Sequence, residues 1–339
     1  MKCPKILSLL LMILLLSTGY AFAAPSQTLK IAAGDPEDSE MGVVGNAFKE
    51  YIEEKTKGDV EIQCFYSGSL GDESECLRNV QKGTLPMAMA GIANLVPFEK
   101  KLGLLTLPYL FSNIDEVVTG TNSAPAELLN SYATKSGFRI LTWTYTDFRY
   151  ISNAKRPITK MADMQGLKFR VPQSAVLIAA YKAFGGSPTP ISWAETFTAL
   201  QQGVVDGQEN PLPTADAASI QEVQSYLTYW TGAYDCLFFC MNAELYNSLS
   251  PELQAIVDEA GQAACEYERE LNRSQDQEIM DKWAEAGVEI TELTPEAAAE
   301  FAEASAPVYD EFADELTPEL IEAFTSVTQA DAGTTEPAA

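Results

Sequence analysis

Between Gly166 and Pro211 the apolar and polar positions change period from one short segment to the next. Leu167, Phe169 and Val171 alternate with Lys168 and Arg170, the period of two that a half-buried strand imposes, and Pro172 closes it. Ala175 to Phe184 is a small, apolar run that suits a helix, stopped at Gly185-Gly186. Pro188 to Ile191 reads as a short strand. Ser192 and Glu195 then stand as N-cap and third helical residue of a capping box, ahead of a helix with Phe197 and Leu200 on one face and Gly203 at its end. Val204 and Val205 open a last strand through Asp206-Gly207-Gln208-Glu209-Asn210 to Pro211. Strand, helix, strand, helix, strand predicts a parallel sheet with right-handed crossovers. Ligands bind such sheets beyond the carboxyl ends of the strands, where Arg170 and Asn210 fall.

The same logic governs the start of the chain. Leu29 to Ala33, Val60 to Tyr66 and Met87 to Ala90 read as strands, with helices after Pro36 and after Asp72, an N-cap. Two such units predict an α/β protein of two lobes, a periplasmic-binding-protein fold with parallel-dominated sheets flanked by helices. The first lobe is assigned to 24–146 and the second to 147–233. Residues 234–275 return to the first lobe, with hinge strands and a long lobe-bridging helix from Pro251. Residues 276–329 complete the second lobe and the C-terminal helices. Ser250-Pro251-Glu252, Thr294-Pro295-Glu296 and Thr317-Pro318-Glu319 each read as a helix start: hydroxyl cap, proline in the first turn, acid near the positive end. The tail at 330–339 lacks apolar anchors and is expected to be disordered.

Residues 1–23 read as a secretory leader: Lys2 and Lys5, an apolar core from Ile6 to Leu16, and Ala21-Phe22-Ala23 as a cleavage site. Its removal takes two lysines and shifts the net charge from −26 to −28. Such a surface repels nucleic acid and anionic lipid, so an anion can be held only locally, in a cleft lined by a few arginines. The absence of histidine excludes Ser-His-Asp and Cys-His catalysis. Export permits disulfides. A local Cys64–Cys76 bridge is plausible, and Cys236 or Cys240 is placed to reach Cys265, with one thiol left over. No spacing matches a metal site, and no glycine-rich phosphate loop suggests a cofactor.

The run GLKFRVPQSA…GGSPTPISWAETFTALQQGVVDGQENPL resembles the signature of DctP-type solute-binding proteins of tripartite ATP-independent periplasmic (TRAP) transporters. The Asp206-to-Pro211 ending is its most specific part. The resemblance extends over almost the whole mature chain, including Gly68-Ser69-Leu70-Gly71 and Leu107-Pro108-Tyr109. It implies a periplasmic monomer without enzymatic activity. Its cleft would close on a small organic acid and deliver it to a small and a large membrane subunit.

By that resemblance Arg170 clamps the ligand's carboxylate, Asn210 helps hold it, Arg149 supplies a second anion contact and Trp193 packs on the ligand. The guanidinium fork suits the paired oxygens of a carboxylate or sulfonate. Spacing alone equally allows a solvated edge arginine and a turn asparagine before proline. Arg149 shares a strand face with Asp147, which would either pair with it or hold an ammonium on the ligand. Gln173, Gly34, Asp35, Asp72, Tyr234 and Asp235 are further lining candidates, Asp72 primarily as a cap. Gly91 stands where relatives carry a polar side chain that reads larger polyhydroxy acids, which implies a ligand smaller than sialate. A secreted hydrolase using Asp206 and Glu209 as a carboxylate pair, or a ligand sensor docking on a receptor, are the alternatives.

Overall fold

Alternation and capping build the first sheet of the computed structural model, which describes residues 25–272 and 276–331. The expected leader at 1–23 and residues 332–339 of the expected tail lie outside the described residues. Strand β1 (Gln27–Ala32) buries Leu29 and Ile31, and helix α1 (Glu40–Lys55) follows, capped by the Ser39 hydroxyl accepting the Gly42 N–H at 3.3 Å. Then come β2 (Val60–Phe65), α2 (Glu73–Gln81) and β3 (Met87–Gly91). Helices α3 (Ile114–Thr121) and α4 (Ala124–Lys135) lead to the long strand β4 (Phe138–Phe148), which runs almost directly into β5 (Tyr150–Asn153).

The stretch singled out above forms β6 (Lys168–Val171), α5 (Ala175–Ala183), β7 (Ser187–Pro190), α6 (Trp193–Gln201) and β8 (Gly207–Asn210). Strands β7 and β8 both pair with β6 in parallel. The expected capping box differs in detail. Ser192 stands at the N-cap, but its hydroxyl donates to Glu195 Oε2 at 2.9 Å instead of accepting a helix N–H. Helix α7 (Leu212–Ala217) and β9 (Tyr226–Tyr229) follow, and β10 (Tyr234–Asn242) returns to the first sheet.

The first sheet is ordered β2-β1-β3-β10-β4. Strand β10 is buried along its whole length because it has core on both sides. Cys236, Phe238 and Cys240 point into one apolar cluster, and Leu237, Phe239 and Met241 into the other. The second sheet is ordered β11-β9-β5-β8-β6-β7, with β11 at Glu289–Glu292. Each sheet joins parallel βαβ units to an antiparallel seam, made by β10 in the first and β5 in the second. The chain changes sheet three times: at Arg149, between β9 and β10, and between β10 and β11. The first two crossings are tied by the Arg149 N–H donating to Ala233 O at 2.8 Å.

The expectation of disulfides needs correction. All five cysteines of the described residues are free. Cys64 packs on the α1 side of the sheet and Cys76 on the opposite side, so the sheet itself separates them. Cys265 instead donates to Trp143 O at 2.8 Å. A short helix, α8 (Ala243–Ser248), follows β10, and the helical pattern from Pro251 gives α9 (Pro251–Asn272) and α10 (Asp276–Glu285), with 273–275 outside the described residues. Helix α9 packs on α1 and β4, and α10 on α7.

Helices α11 (Pro295–Leu316) and α12 (Pro318–Asp331) complete the fold. The three Pro-Glu helix starts are capped as expected: Ser250, Thr294 and Thr317 hydroxyls accept the N–H three residues on, at 3.2, 3.2 and 3.4 Å. Helix α11 lies on α5, with Phe301 against Phe184 and Trp230 at 5.2 and 6.2 Å between ring centroids. Helix α12 packs on α3 and α4, with Phe324 5.8 Å from Phe111. These contacts fasten the C-terminus across both halves.

Gly207 starts β8 where no side chain fits. A Cβ there would stand 2.3 Å from Ser152 O in β5 and 2.9 Å from the Phe169 ring in β6. Gly207→Ala must push β8 away from both neighbours, and overpacking of this kind costs about 1–3 kcal/mol. The expected result is a melting temperature lowered by several degrees. An unchanged melting curve would contradict this packing.

Candidate functional site

The carboxyl ends of β6 and β8, the crossing at Arg149, the start of α6 and the loops after β1 and β3 converge on one cavity. It is a small cleft, with about 340 Å3 of atom-free space when the part open to solvent is counted. Arg170, Arg149, Asn210, Trp193, Asp35, Gly91 and Asp235 all line it.

Strand alternation alone would aim Arg170 away from the Phe169 core, and the fold gives that face to the cavity. Arg170 is only 3% exposed. Its Nε donates to Ile191 O at 2.9 Å, and its guanidinium carbon lies 5.4 Å from the centre of the Trp193 ring. Among the described residues no carboxylate comes within ion-pairing distance of it, although Glu73, Asp235 and Glu209 are near enough to act on its charge. Burial is the largest influence and pulls its pKa down to about 10. The group stays cationic at neutral pH, desolvated, with its outer N–H groups unclaimed by any carboxylate.

Arg149 has the opposite environment. Its Nη1 donates to Glu209 Oε2 at 2.6 Å and to Glu209 O at 3.0 Å, and its Nη2 donates to Asp235 Oδ1 at 2.8 Å. Burial works against its charge, but Asp235 and Glu209 outweigh that and raise its pKa. Arg149 therefore lines the cavity as the counter-ion of two carboxylates. Its expected partner Asp147 takes no part: that carboxylate accepts the Phe148 N–H at 2.6 Å, lies outside the cavity, and is held up to about pH 8 by burial and by Asp276. Asn210 is held by its own amide, which donates to Gln208 Oε1 at 2.7 Å.

Trp193 opens α6 and its indole N–H donates to Asp35 Oδ1 at 2.5 Å, linking the second sheet's helix to the loop after β1. Burial pushes Asp35 up to about pH 7, against the lowering effect of that hydrogen bond.

Not every candidate lies in the cavity. Asp72 serves as the N-cap of α2, accepting the Glu75 N–H at 2.7 Å, and the side chain that reaches the cavity is the next one, Glu73. Gln173 is exposed and points elsewhere; Pro172 lines the cavity in its place. Tyr234 is buried beside the cavity, its hydroxyl donating to Thr146 O at 3.3 Å. Gly34 contributes space: a Cβ there would stand 3.1 Å from Glu73 Cγ.

Sequence reasoning missed Glu73 and Asn94. Asn94 Nδ2 donates to Glu73 Oε2 at 2.5 Å, and the Gly91 N–H donates to Oε1 at 3.4 Å. Burial raises Glu73 to about 8, with Asp35 adding to the rise. The glycines at 34, just past β1, and at 91, the last residue of β3, were the available signal that a side chain from elsewhere enters there.

The comparisons bear on this geometry. The family described as bacterial extracellular solute-binding protein, family 7 (DctP), matches residues 32–316. The chain belongs to that family. A solute-binding protein of Verminephrobacter eiseniae is 37% identical over 258 residues, 75% of each chain. The 2,3-diketo-L-gulonate-binding periplasmic protein YiaO of Escherichia coli is 30% identical, covering 78% of this chain and 81% of its own. A TRAP periplasmic solute-binding protein from Polaromonas bound to D-erythronate superposes with a TM-score of 0.85 at 31% identity, over 88% of this chain and 98% of that one. The two-lobed α/β architecture of this family is the one described above.

Asp35 and Glu73 hold their protons more tightly folded than at their ordinary values of 3.8 and 4.5. The stability they contribute is fully present below about pH 4 and is lost as the pH rises through about 7 and 8. Glu40 and Glu209 shift in the same direction. Ligand-free protein is therefore expected to melt at lower temperature at pH 9 than at pH 5, with Glu73→Gln shrinking the fall. A melting temperature that is flat or rising over that window would contradict it.

Proposed function

We propose that this chain is a periplasmic solute-binding protein that captures a small organic acid anion and delivers it to the two membrane subunits of a TRAP-type permease. Among the described residues no helix is long and apolar enough to cross a membrane, and residues 1–23 are read as the export leader. The observation that carries the reading is Arg170: a buried, cavity-lining guanidinium with no carboxylate partner. A ligand carboxylate supplies that partner, with paired charge-assisted hydrogen bonds. The relatives support this class of ligand, since YiaO is named for a sugar acid and the Polaromonas protein holds an aldonate.

The cavity takes groups from both sheets, so an acid held by Arg170 would also touch Asp35 and Gly91 of the other half. Binding then favours the closed arrangement, a population shift, and the permease reads that closed form. The hydrolase alternative has no support in the geometry. Asp206 accepts the Lys168 N–H at 2.9 Å and pairs with Lys155 at 3.5 Å, while Glu209 is fully buried on Arg149. The two carboxylates flank no common space.

A thermal-shift screen of small hydroxy, keto, amino and aromatic acids and sulfonates, followed by calorimetry on the best ligand, tests the reading. Arg170→Lys keeps the charge and loses the fork. At ~1.5–3 kcal/mol per charge-assisted bond and 1.4 kcal/mol per tenfold, the dissociation constant is expected to rise ten- to a hundredfold or more. An unchanged constant would refute Arg170 as the clamp.

A further inference from the structure

Two carboxyls in the cavity have no cationic partner among the described residues. Arg149 is shared between Glu209 and Asp235. That leaves Arg170 facing two carboxylates, Asp35 and Glu73, which also line the cavity. Asp35 is 2% exposed and accepts only the Trp193 indole N–H; Glu73 accepts the Asn94 amide and the Gly91 N–H. All of these donors are neutral. Among the described residues neither carboxylate has a cation within ion-pairing distance.

An acid bearing only hydroxyl or keto groups would satisfy Arg170 and leave Asp35 and Glu73 with neutral partners alone, each ionised at a desolvation cost or kept protonated. A ligand that brings a cation with its carboxylate supplies the partner both lack.

Resting on the anion-binding reading above, we propose that the cavity takes a zwitterion: its carboxylate meets Arg170, and its amine, carried as an ammonium, sits against Asp35 and Glu73. Trp193 sets the arrangement, because its ring face lies against Arg170 and its N–H holds Asp35. One side chain thus fixes the acid-binding and the ammonium-binding groups relative to each other. Gly34 leaves the room that Glu73 occupies, and the desolvation that raises both carboxyls is relieved when an ammonium arrives.

Calorimetry with matched pairs tests this: alanine against lactate, 3-aminopropanoate against 3-hydroxypropanoate, and proline against tetrahydrofuran-2-carboxylate. In at least one pair the amino acid is expected to bind tenfold or more tightly than its partner. Glu73→Gln should bring that ratio below threefold, and Asp35→Asn gives the same reading if the first variant does not fold. Hydroxy acids binding as tightly as the amino acids in every pair would overturn the zwitterion and leave the acid-binding reading intact, provided Arg170→Lys still weakens them. No binding by any of the amino acids would overturn it as well. A ratio that survives both folded variants would also overturn it, by removing Asp35 and Glu73 from ammonium recognition.

Discussion

A buried guanidinium without a counter-ion is the constraint on which this structure turns. Taking an arginine out of water is unfavourable unless a carboxylate and hydrogen bonds compensate. Arg149 has both, through Glu209 and Asp235. Arg170, in the same cavity, has one backbone acceptor and an aromatic face. Two arginines of similar burial thus have different surroundings: one holds the crossing strands to the second sheet, the other makes no ion pair among the described residues.

That fold is arranged so that few residues decide the geometry. Gly207 lets β8 lie close to β5 and β6, which brings Asn210 to the cavity wall and Glu209 onto Arg149. The Arg149 backbone ties two of the chain crossings together while its side chain neutralises Glu209 and Asp235. Trp193 reaches from the second sheet's helix to Asp35 in the first half. The cavity is thus lined by residues of both halves.

The βαβαβ stretch from Gly166 to Pro211 was legible because each element carries its own signal: alternation in Leu167-Lys168-Phe169-Arg170-Val171, glycine stops at 185 and 203, and the proline after Asn210. The placement of Arg170 at a strand's carboxyl end followed from the same pattern. Partner choice was not legible. Asp147 lies two residues from Arg149, but the partners of that arginine come from 60 and 86 residues away, a distance that only the crossing of the sheets closes. Asp72 drew attention as a cap, and its neighbour Glu73 was overlooked because a residue in the first turn of a helix has no pattern that distinguishes cavity from solvent. The cysteines misled for a related reason: closeness along the chain carries no information about which side of a sheet each thiol occupies.

The most direct measurement is the melting temperature of Arg170→Met without ligand and with a saturating acid that stabilises the unsubstituted protein. Removing Arg170 breaks no ion pair among the described residues, only the hydrogen bond to Ile191 O. The expected result is therefore a ligand-free melting temperature within a few degrees of the unsubstituted protein or above it, with no further rise on adding the acid. A ligand-free protein that melts many degrees lower, yet is still stabilised by the acid, would show that Arg170 is a structural group and that the anion is held elsewhere.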